Sequence, residues 1–428
     1  MTTQTDSPPT AYSPSPSSIV VTGATGFLGG VLIQRLLADR SIDSLVCPVR
    51  ADSPDHAAQR GHDRLVTLLG APDAEAQRGR VRWIKADLEE RRLGWDSTTW
   101  REVATTTAEI FHCAASVSFD LPMAEATRIN VDGTKNMHEL ATTAQTIHGQ
   151  VRRFHHVSTA YVSGVAEGKV SADHLPADRA SNFRNTYERS KANAERFLRA
   201  SVAGSDPDAV PVSIYRPSIV AGDTATGVTD NWNVLYVPMK MTARGMLPLF
   251  PMGGRALIDS VGVDFVVDGM LALRQHATKP LHAFHLTAGR SAFTLDELFD
   301  TTSRKADAHP GFTPSKTKLL STTEWQAFTA GMRLAANAPK RLGRLRRIGT
   351  QAERGLKSCA VYVPYTRVNT IFDASDEHRL LRTHGVTMPA GDEYLDTIVD
   401  YALESDFGKR KPAAAPSASL APLVEVAA

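Results

Sequence analysis

The chain has 428 residues, of which 42% are hydrophobic and 22% are charged, as in an ordinary globular protein of two or so folding units. Its 48 lysines and arginines nearly balance its 46 aspartates and glutamates, and the net charge of +2 excludes a general attraction to nucleic acid or membrane. The three cysteines, Cys47, Cys113 and Cys359, are too scattered for a disulfide framework or a metal site, which favours a metal-free protein of the reducing cytoplasm.

The two ends of the chain are predicted to be disordered. Residues 1–17 are rich in Ser, Thr and Pro and lack the apolar core of a signal peptide, and residues 408–428 are rich in Ala and Pro. No uninterrupted apolar run approaches the ~20 residues of a membrane span. We therefore expect a soluble protein, for which peripheral contact with a membrane stays open.

The first folded segment predicts a strand, a glycine-rich turn and a helix. Residues 18–22 are β-rich, Gly23, Gly26 and Gly29 follow at three-residue intervals, and a helix-periodic apolar run continues to about Asp39. Glycines here let the backbone approach a pyrophosphate, and the N–H groups at the start of the helix favour its charge. The pattern predicts a dinucleotide cofactor, with an ordinary strand-to-helix connection as the alternative.

The second predicted strand, 44–49, is closed by Arg50. In dinucleotide folds this position meets the adenosine ribose, where an acid binds the 2′-hydroxyl of NAD and an arginine neutralises the 2′-phosphate of NADP. The nearest acid here, Asp52, comes two residues later. The sequence therefore predicts NADPH as the cofactor, with an ordinary surface arginine as the alternative.

Two further strands are predicted to end at the cofactor. They cover residues 81–86 and 109–115. The first leads into Asp87 and Leu88, placed to meet the adenine, although Asp87 could instead cap a helix. The second ends at Ala114 and Ala115, whose small side chains let the backbone lie close to the cofactor.

The candidate chemistry follows a fifth predicted strand, 154–162, which ends in hydroxyl side chains. The next helix carries a Tyr-x-x-x-Lys pair, Tyr187 and Lys191. Positions four apart share a helix face, so the Lys191 ammonium lies beside the Tyr187 phenol. A cation there would lower the phenol pKa from about 10 and make Tyr187 a proton donor or acceptor near neutrality, unless the pair is a chance helical spacing.

The C-terminal part of the chain predicts further elements of a second region. A strand is predicted over 283–286, followed by a helix whose capping box is formed by Thr294 and Glu297. A later helix ends before Gly385, and a final amphipathic helix covers 394–403.

Taken together, the motifs resemble the extended short-chain dehydrogenase/reductases. Within them they resemble the fatty acyl-CoA reductase or male-sterility type, relatives of the thioester reductase domains. The resemblance covers about residues 19–258. It is carried by motifs beginning at Thr22 (Thr-Gly-Ala-Thr-Gly-Phe-Leu-Gly), Val49 (Val-Arg-Ala), Ala86 (Ala-Asp-Leu), His112 (His-Cys-Ala-Ala-Ser-Val), Ile129 (Ile-Asn-Val-Asp-Gly-Thr), His156 (His-Val-Ser-Thr-Ala-Tyr-Val), Tyr187 (Tyr-Glu-Arg-Ser-Lys) and Tyr215 (Tyr-Arg-Pro-Ser-Ile-Val-Ala-Gly-Asp).

The resemblance implies roles for individual residues. Thr159, with Ser158 as the second choice, hydrogen-bonds the reacting carbonyl, and Tyr187 is the acid/base. Lys191 holds the nicotinamide ribose and lowers the tyrosine pKa. In full, the predicted cofactor contacts are Thr22, Gly23, Thr25, Gly26, Phe27, Leu28, Arg50, Asp87, Leu88, Ala114, Ala115, Val157, Tyr187, Lys191, Pro217, Ser218 and Ile219.

The resemblance also implies an α/β fold, a Rossmann-type doubly wound parallel sheet with a smaller C-terminal substrate-binding lobe. We expect residues 18–290 to form the NADP-binding domain, with a substrate-lobe insertion around 226–258, and residues 291–407 to form the lobe. The implied activity is NADPH-dependent reduction of an acyl thioester, on coenzyme A or an acyl carrier protein, to an aldehyde or further to an alcohol. The alternatives are a hydroxysteroid-type or sugar-nucleotide oxidoreductase and a non-catalytic NADP-binding sensor.

Two segments bear on the substrate. Residues 232–251 are apolar and rich in methionine, which predicts a channel for an acyl chain or, equally, plain core. Residues 333–357 carry eight basic side chains against the single acid Glu353. This basic run predicts a solvated helix face or a site for an acidic carrier protein, the phosphates of coenzyme A or an anionic membrane.

Overall fold

The computed structural model describes residues 17–204, 206, 208–232, 234–251, 256–337, 350, 365 and 370–410. The predicted disordered ends therefore lie outside the described residues, except for their innermost positions. Residues 408–410 follow the last helix in a turn, in which the Arg410 N–H donates to the Ser405 carbonyl (2.9 Å). Of the predicted basic segment 333–357, only residues 333–337 and 350 are described, and Arg333 is the one basic side chain among them.

The strands and helices alternate along the first two thirds of the chain. The strands are β1 (Ser18–Thr22), β2 (Ser44–Val49), β3 (Val81–Lys85), β4 (Thr107–His112), β5 (Arg153–Val157), β6 (Gly168–Val170), β7 (Val212–Pro217), β8 (Ile219–Ala221), β9 (Leu249–Pro251), β10 (Leu257–Ile258), β11 (Ser260–Gly262), β12 (Leu281–Leu286), β13 (Phe293–Thr294), β14 (Lys318–Leu320) and β15 (Thr370–Phe372). The helices are α1 (Phe27–Ala38), α2 (Pro54–Leu69), α3 (Ala71–Gln77), α4 (Ser97–Thr106), α5 (Met123–Thr127), α6 (Gly133–His148), α7 (Thr186–Ser201), α8 (Tyr236–Ala243), α9 (Val263–Arg274), α10 (Leu295–Asp307), α11 (Thr322–Ala336), α12 (Ser375–Thr383) and α13 (Gly391–Glu404).

The central sheet has seven strands in the order β12-β7-β5-β4-β1-β2-β3, and its neighbouring strands are all parallel. From β1 the chain first builds outward through β2 and β3 and then returns to add β4 on the other side. Such a reversal opens a crevice at the carboxyl ends of β1 and β4, where parallel sheets of this kind bind ligands. The predicted doubly wound Rossmann-type sheet is confirmed.

Helices cover both faces of the sheet, and every residue of β1, β4 and β7 is buried between them. On one face α1, α9 and α12 pack against it, with Leu36, Val266 and Leu381 buried in one apolar cluster. On the other face α4 and α6 bury Trp100 and Leu140 in a second cluster. Fully burying a side chain of this kind contributes roughly 1.5–3 kcal/mol, so these layers hold the strand ends in place.

A third apolar cluster lies outside the sheet and forms the lobe. It is built largely from α8, α10 and α13, with Met239, Leu298 and Ile398 fully buried. Because α8 precedes β12 while α10 and α13 follow it, the lobe combines an inserted segment with C-terminal helices. The division of the chain at residue 290 stays a prediction.

Local sequence signals explain several element ends, but two predictions of extent are wrong. The fourth strand ends at His112 rather than at residue 115. The capping box of α10 is confirmed, since Thr294 Oγ1 accepts from the Glu297 N–H (3.2 Å) and Glu297 Oε2 accepts from the Thr294 N–H (2.6 Å). The fifth strand ends at Val157 rather than at residue 162. Thr159 caps a short helical turn there by accepting from the Tyr161 N–H (3.3 Å), which diverts the chain from the sheet. None of the described helices is both long and apolar enough to cross a bilayer.

Candidate active site

The glycine-rich turn between β1 and α1 forms a tightly packed cradle. Gly23 has φ +71°, and a Cβ on it would lie 2.9 Å from the Ala114 nitrogen. A Cβ on Gly29 would lie 2.2 Å from the Gly23 carbonyl oxygen. The first N–H groups of α1 have no intrahelical acceptor and face outward from this turn. The cradle therefore fits the pyrophosphate of a dinucleotide.

Basic side chains gather where β2 ends. Arg50 is exposed, and Arg60 from α2 donates to its carbonyl oxygen. Lys85, at the end of β3, donates to the Asp52 carbonyl (3.0 Å), while the Asp52 carboxylate is 97% exposed. The edge of the crevice beside β2 is therefore cationic.

Arg64 is a further basic residue that sequence reasoning missed. It lies one helical turn after Arg60 on α2, and its Nη2 donates to the Gly26 carbonyl (3.0 Å) in the glycine cradle. Its Nη1 pairs with Asp230, and its side chain is only 12% exposed. Nothing in the local pattern marks it, because the contact depends on how α2 packs against α1.

The hydroxyl of Thr22 forms hydrogen bonds within the protein. It accepts from the Ala114 N–H (3.2 Å) and is hydrogen-bonded to Nδ1 of His112 (2.8 Å), and Thr22 is fully buried. Burial lowers the pKa of His112 to about 3, so this histidine is neutral. The Thr22 side chain therefore supports the loop that carries Ala114, and the predicted contact of Thr22 with the cofactor stays a prediction.

The candidate catalytic hydroxyls lie between β5 and α7. The Thr159 hydroxyl lies close enough to the Tyr187 phenol to lower the pKa of that phenol. Ser158 instead donates to Oε1 of the buried Glu195 (2.6 Å). The geometry thus favours Thr159 over Ser158 as the hydroxyl available to a substrate.

Lys191 lies one turn beyond Tyr187 on α7 and is almost completely buried. Its Nζ donates to the Val157 carbonyl (2.7 Å) and lies 3.2 Å from Nε2 of His156. Burial lowers the pKa of Lys191 to about 8, against the opposing effect of Glu195. Burial and the Lys191 charge together lower the pKa of His156, so this imidazole is neutral.

The predicted lowering of the tyrosine pKa is wrong for this structure. Burial raises the pKa of Tyr187 to about 12, and the Thr159 hydrogen bond offsets only part of that effect. The Lys191 ammonium is held by the Val157 carbonyl and His156 instead. Tyr187 is therefore a protonated phenol at neutral pH.

An apolar pocket adjoins Tyr187, and its empty space, including its opening to solvent, is about 700 Å³. We call it the acyl cavity after the acyl chain predicted for it. Its walls include Phe119 and Tyr161 near Tyr187 and Leu298 in the lobe. Residues 232–251 were predicted to form either a channel or plain core, and each prediction holds for part of the segment. It lines the acyl cavity with Val234, Leu235, Pro238 and Phe250, whereas Met239 is core and Trp232, Met241 and Met246 line a separate pocket.

Comparison with known protein families identifies the family of this chain. Residues 21–270 match the sequence profile of the family described as male sterility protein. The chain belongs to this family. The predicted resemblance to the male-sterility type of extended short-chain dehydrogenase/reductase is thereby confirmed.

Individual relatives of this male sterility family member are moderately similar. It is 29% identical over 290 residues to the nonribosomal peptide synthetase asaC of Aspergillus flavus, covering 64% of this chain and 26% of the synthetase. It is 27% identical over 306 residues to fatty acyl-CoA reductase 2 of Homo sapiens, and this match covers 64% of this chain and 58% of the reductase. The chain thus spans less than two thirds of either relative.

A solved structure shows the same fold. The terminal R domain from the myxalamid PKS-NRPS biosynthetic pathway superposes with a TM-score of 0.69 at 22% identity, and the match covers 93% of both chains. At this identity the likeness concerns the fold alone.

In this family member the other predicted cofactor residues lie along the crevice. Asp87 does not cap an α-helix, because its Oδ1 accepts from the Glu89 N–H (2.9 Å) in a local turn. Gly26 is exposed, and Pro217 and Ser218 are buried. The partly exposed residues are Gly23, Thr25, Phe27, Leu28, Asp87, Leu88, Ala114, Ala115, Val157 and Ile219. Their roles at the cofactor stay predictions.

Proposed function

We propose that this chain reduces an acyl thioester, carried on coenzyme A or on a carrier protein, to an aldehyde with NADPH. The observation that carries the proposal is the Tyr187 phenol at the wall of the acyl cavity, with the Thr159 hydroxyl beside it. Lys191 lies buried on the same helix as Tyr187. A hydroxyl pair suits a carbonyl, and the cavity suits an alkyl chain.

The chain's residues would act on the carbonyl oxygen of the thioester. When bound, the nicotinamide supplies a hydride to the carbonyl carbon. The Thr159 and Tyr187 hydroxyls stabilise the negative charge that develops on the oxygen. Because its pKa is raised to about 12, the Tyr187 phenol still carries its proton and gives it to that oxygen, which forms a hemithioacetal.

The second step breaks the carbon–sulfur bond. The hemithioacetal hydroxyl returns its proton to the Tyr187 phenolate, the carbonyl re-forms and the thiolate leaves. The thiolate takes a proton from solvent, so the products are an aldehyde and a free thiol. A second NADPH would supply a hydride to the aldehyde carbon and Tyr187 a proton to its oxygen, which would yield the alcohol, and solvent would then return a proton to Tyr187.

Lys191 would hold the cofactor ribose with its ammonium group. The Val157 carbonyl and His156 fix the position of that ammonium within the crevice. Its charge also favours a negative oxygen in the transition state.

The preference for NADPH rests on the cationic edge formed by Arg50, Arg60 and Lys85. Arginine and lysine suit a 2′-phosphate, whereas the 2′-hydroxyl of NAD needs an acceptor. Arg50→Asp should therefore lower the ratio of kcat/KM with NADPH to kcat/KM with NADH. Equal use of both cofactors by the unmodified chain would contradict this part of the proposal.

The acyl cavity argues against a sugar nucleotide as substrate. No charged side chain is among the described residues that line it, and two phosphates need cationic or backbone donors. A sterol would suit the apolar walls, so it belongs among the compounds to be tested.

The decisive experiment is product analysis by mass spectrometry. The protein is incubated with NADPH and, separately, acyl-coenzyme A thioesters, acyl carrier protein thioesters, a sterol ketone and a nucleotide sugar. We expect NADPH-dependent aldehyde or alcohol from the thioesters only. Turnover of the sterol or the sugar alone would overturn the proposal.

Variants of the hydroxyl pair give the matched controls. Tyr187→Phe should abolish turnover while NADPH still binds, because one proton donor is lost and the ring is kept. Tyr401→Phe makes the same change on α13, away from the acyl cavity, and should keep activity. Full activity of Tyr187→Phe would move the acid role to another group.

A further inference from the structure

A second pocket, with about 530 Å³ of empty space including its opening to solvent, adjoins the acyl cavity, and we call it the outer cavity. Both cavities are lined by Tyr161, Ile219, Ile258 and Tyr365. Tyr187 lines the acyl cavity but is not among the lining residues of the outer one. The shared residues therefore form a wall beside the catalytic tyrosine.

Tyr365 is the member of this wall that is tied to the catalytic helix. Its hydroxyl donates to Oε1 of Glu188 (2.7 Å) and accepts from Nδ2 of Asn185 (2.6 Å). Asn185 caps α7 through its Oδ1, which accepts from the Glu188 N–H (2.9 Å). The three side chains form a closed hydrogen-bonded ring on the helical turn that carries Tyr187.

The ring of Tyr365 is also held by its neighbours. Phe119 lies 5.7 Å from it, centroid to centroid, and Phe119 lies 5.8 Å from the Tyr187 ring. Tyr161 meets it edge to face at 5.4 Å, and the Arg184 guanidinium lies 5.5 Å from its centroid. Contacts on several sides restrict the orientation of the ring.

The two cavities differ in chemistry. The acyl cavity is lined by apolar and aromatic side chains. The outer cavity includes Asp259 and Thr370, and its lining residues Leu257 and Ile371 are 46% and 52% exposed. A thioester has the same asymmetry, because its acyl chain is apolar and its thiol arm carries amides and must extend to solvent.

We propose that the two cavities hold the two halves of the thioester and that Tyr365 is the positioning residue between them. This inference rests on the proposed function. The acyl chain lies in the acyl cavity, the thiol arm leaves through the outer cavity, and the Tyr365 ring confines the carbonyl next to Thr159 and Tyr187. The hydroxyl contacts with Asn185 and Glu188 keep that ring aligned with the catalytic turn.

The first test separates the ring of Tyr365 from its hydroxyl. Tyr365→Phe keeps the wall and removes a donor to a buried carboxylate, so kcat should fall roughly tenfold with KM for the thioester nearly unchanged. Tyr365→Ala joins the cavities and should raise the relative kcat/KM for bulky, α-branched acyl groups over straight chains. Tyr365→Phe should keep the straight-chain preference of the unmodified protein.

A double-variant cycle tests the hydrogen bond itself. Glu188→Gln combined with Tyr365→Phe should reduce kcat by much less than the product of the single effects, because both changes break one contact. Tyr394→Phe is the matched control. Its hydroxyl donates to the Gly222 carbonyl (2.9 Å) inside the lobe, so it should change stability without changing acyl selectivity.

Two further variants test the assignment of the cavities without altering Tyr365. Leu298→Phe fills the acyl cavity and should shorten the longest accepted chain for thioesters and free aldehydes alike. Ile371→Glu alters the outer cavity and should raise KM for thioesters while sparing KM for the free aldehyde of equal length.

The outcomes distinguish a failure of the proposed function from a failure of the two-cavity inference. If the unmodified protein reduces no thioester, the proposed function fails. If it does, but Tyr365→Ala keeps its selectivity and Ile371→Glu affects thioester and aldehyde equally, the two-cavity inference is overturned. If Tyr365→Ala does not fold, the Leu298 and Ile371 variants decide the matter alone.

Discussion

Gly29→Ala is the smallest change that should disable the cofactor cradle. Gly29 lies in the first turn of α1, directly against the carbonyl group of Gly23. An added Cβ would lie 2.2 Å from that oxygen and 2.6 Å from its carbon. Since Cβ atoms essentially never approach closer than 3.0 Å, the helix or the turn must move by about 0.8 Å.

The size of the effect follows from overpacking. Inserting a methyl group into a closely packed site costs about 1–3 kcal/mol. Alanine gains about 1 kcal/mol over glycine in a helix, which offsets only part of that cost. If the strain is relieved by opening the cradle, the same energy weakens NADPH binding by roughly 5- to 150-fold.

The assay is a titration of NADPH fluorescence with the purified variant, with circular dichroism to establish that it is folded. Gly331→Ala makes the same change within α11, where an added Cβ meets nothing within 4 Å. This control should keep the Kd and should not lower Tm. A folded Gly29→Ala protein whose Kd lies within twofold of the unmodified value would refute the reasoning.

Two other predictions concern buried charges. The pKa of Lys191 is about 8 and its ammonium form is the active one, so kcat/KM should fall as pH rises through about 8. Arg216→Met should lower the free energy of unfolding in urea by about 3–5 kcal/mol, because it leaves the Glu195 carboxylate buried without its bidentate partner. In the unmodified chain Arg216 Nε and Nη2 donate to Glu195 at 2.9 and 2.6 Å, and both side chains are fully buried.

Each of these predictions has its own control. Lys191→Arg stays charged over the whole range, so its residual kcat/KM should not fall above pH 8, and a fall at the same pH would assign the titration to another group. Arg216→Met combined with Glu195→Leu should recover much of the lost stability, since neither charge of this buried pair then remains. An unfolding free energy unchanged by Arg216→Met would show that the pair is not the structural tie described above.

Sequence reasoning succeeded best where the signal was local. The strand, glycine turn and helix around Gly23 depend on the chain's own steric limits, and the capping box of α10 joins residues three apart. It failed for the extent of the fifth strand because Thr159 starts a local turn there. It failed for the tyrosine pKa because desolvation depends on everything packed around Tyr187.

By itself, the sequence determined the alternation of strands and helices, the glycine cradle and the four-residue spacing of Tyr187 and Lys191, because each depends on neighbouring residues. Only the tertiary structure decided that Thr159 rather than Ser158 meets the tyrosine, and that the lysine turns to His156. It alone brought Tyr365 to Glu188 across 177 positions of chain. Contacts of that range arise from the packing of whole elements, which no local pattern of side chains records.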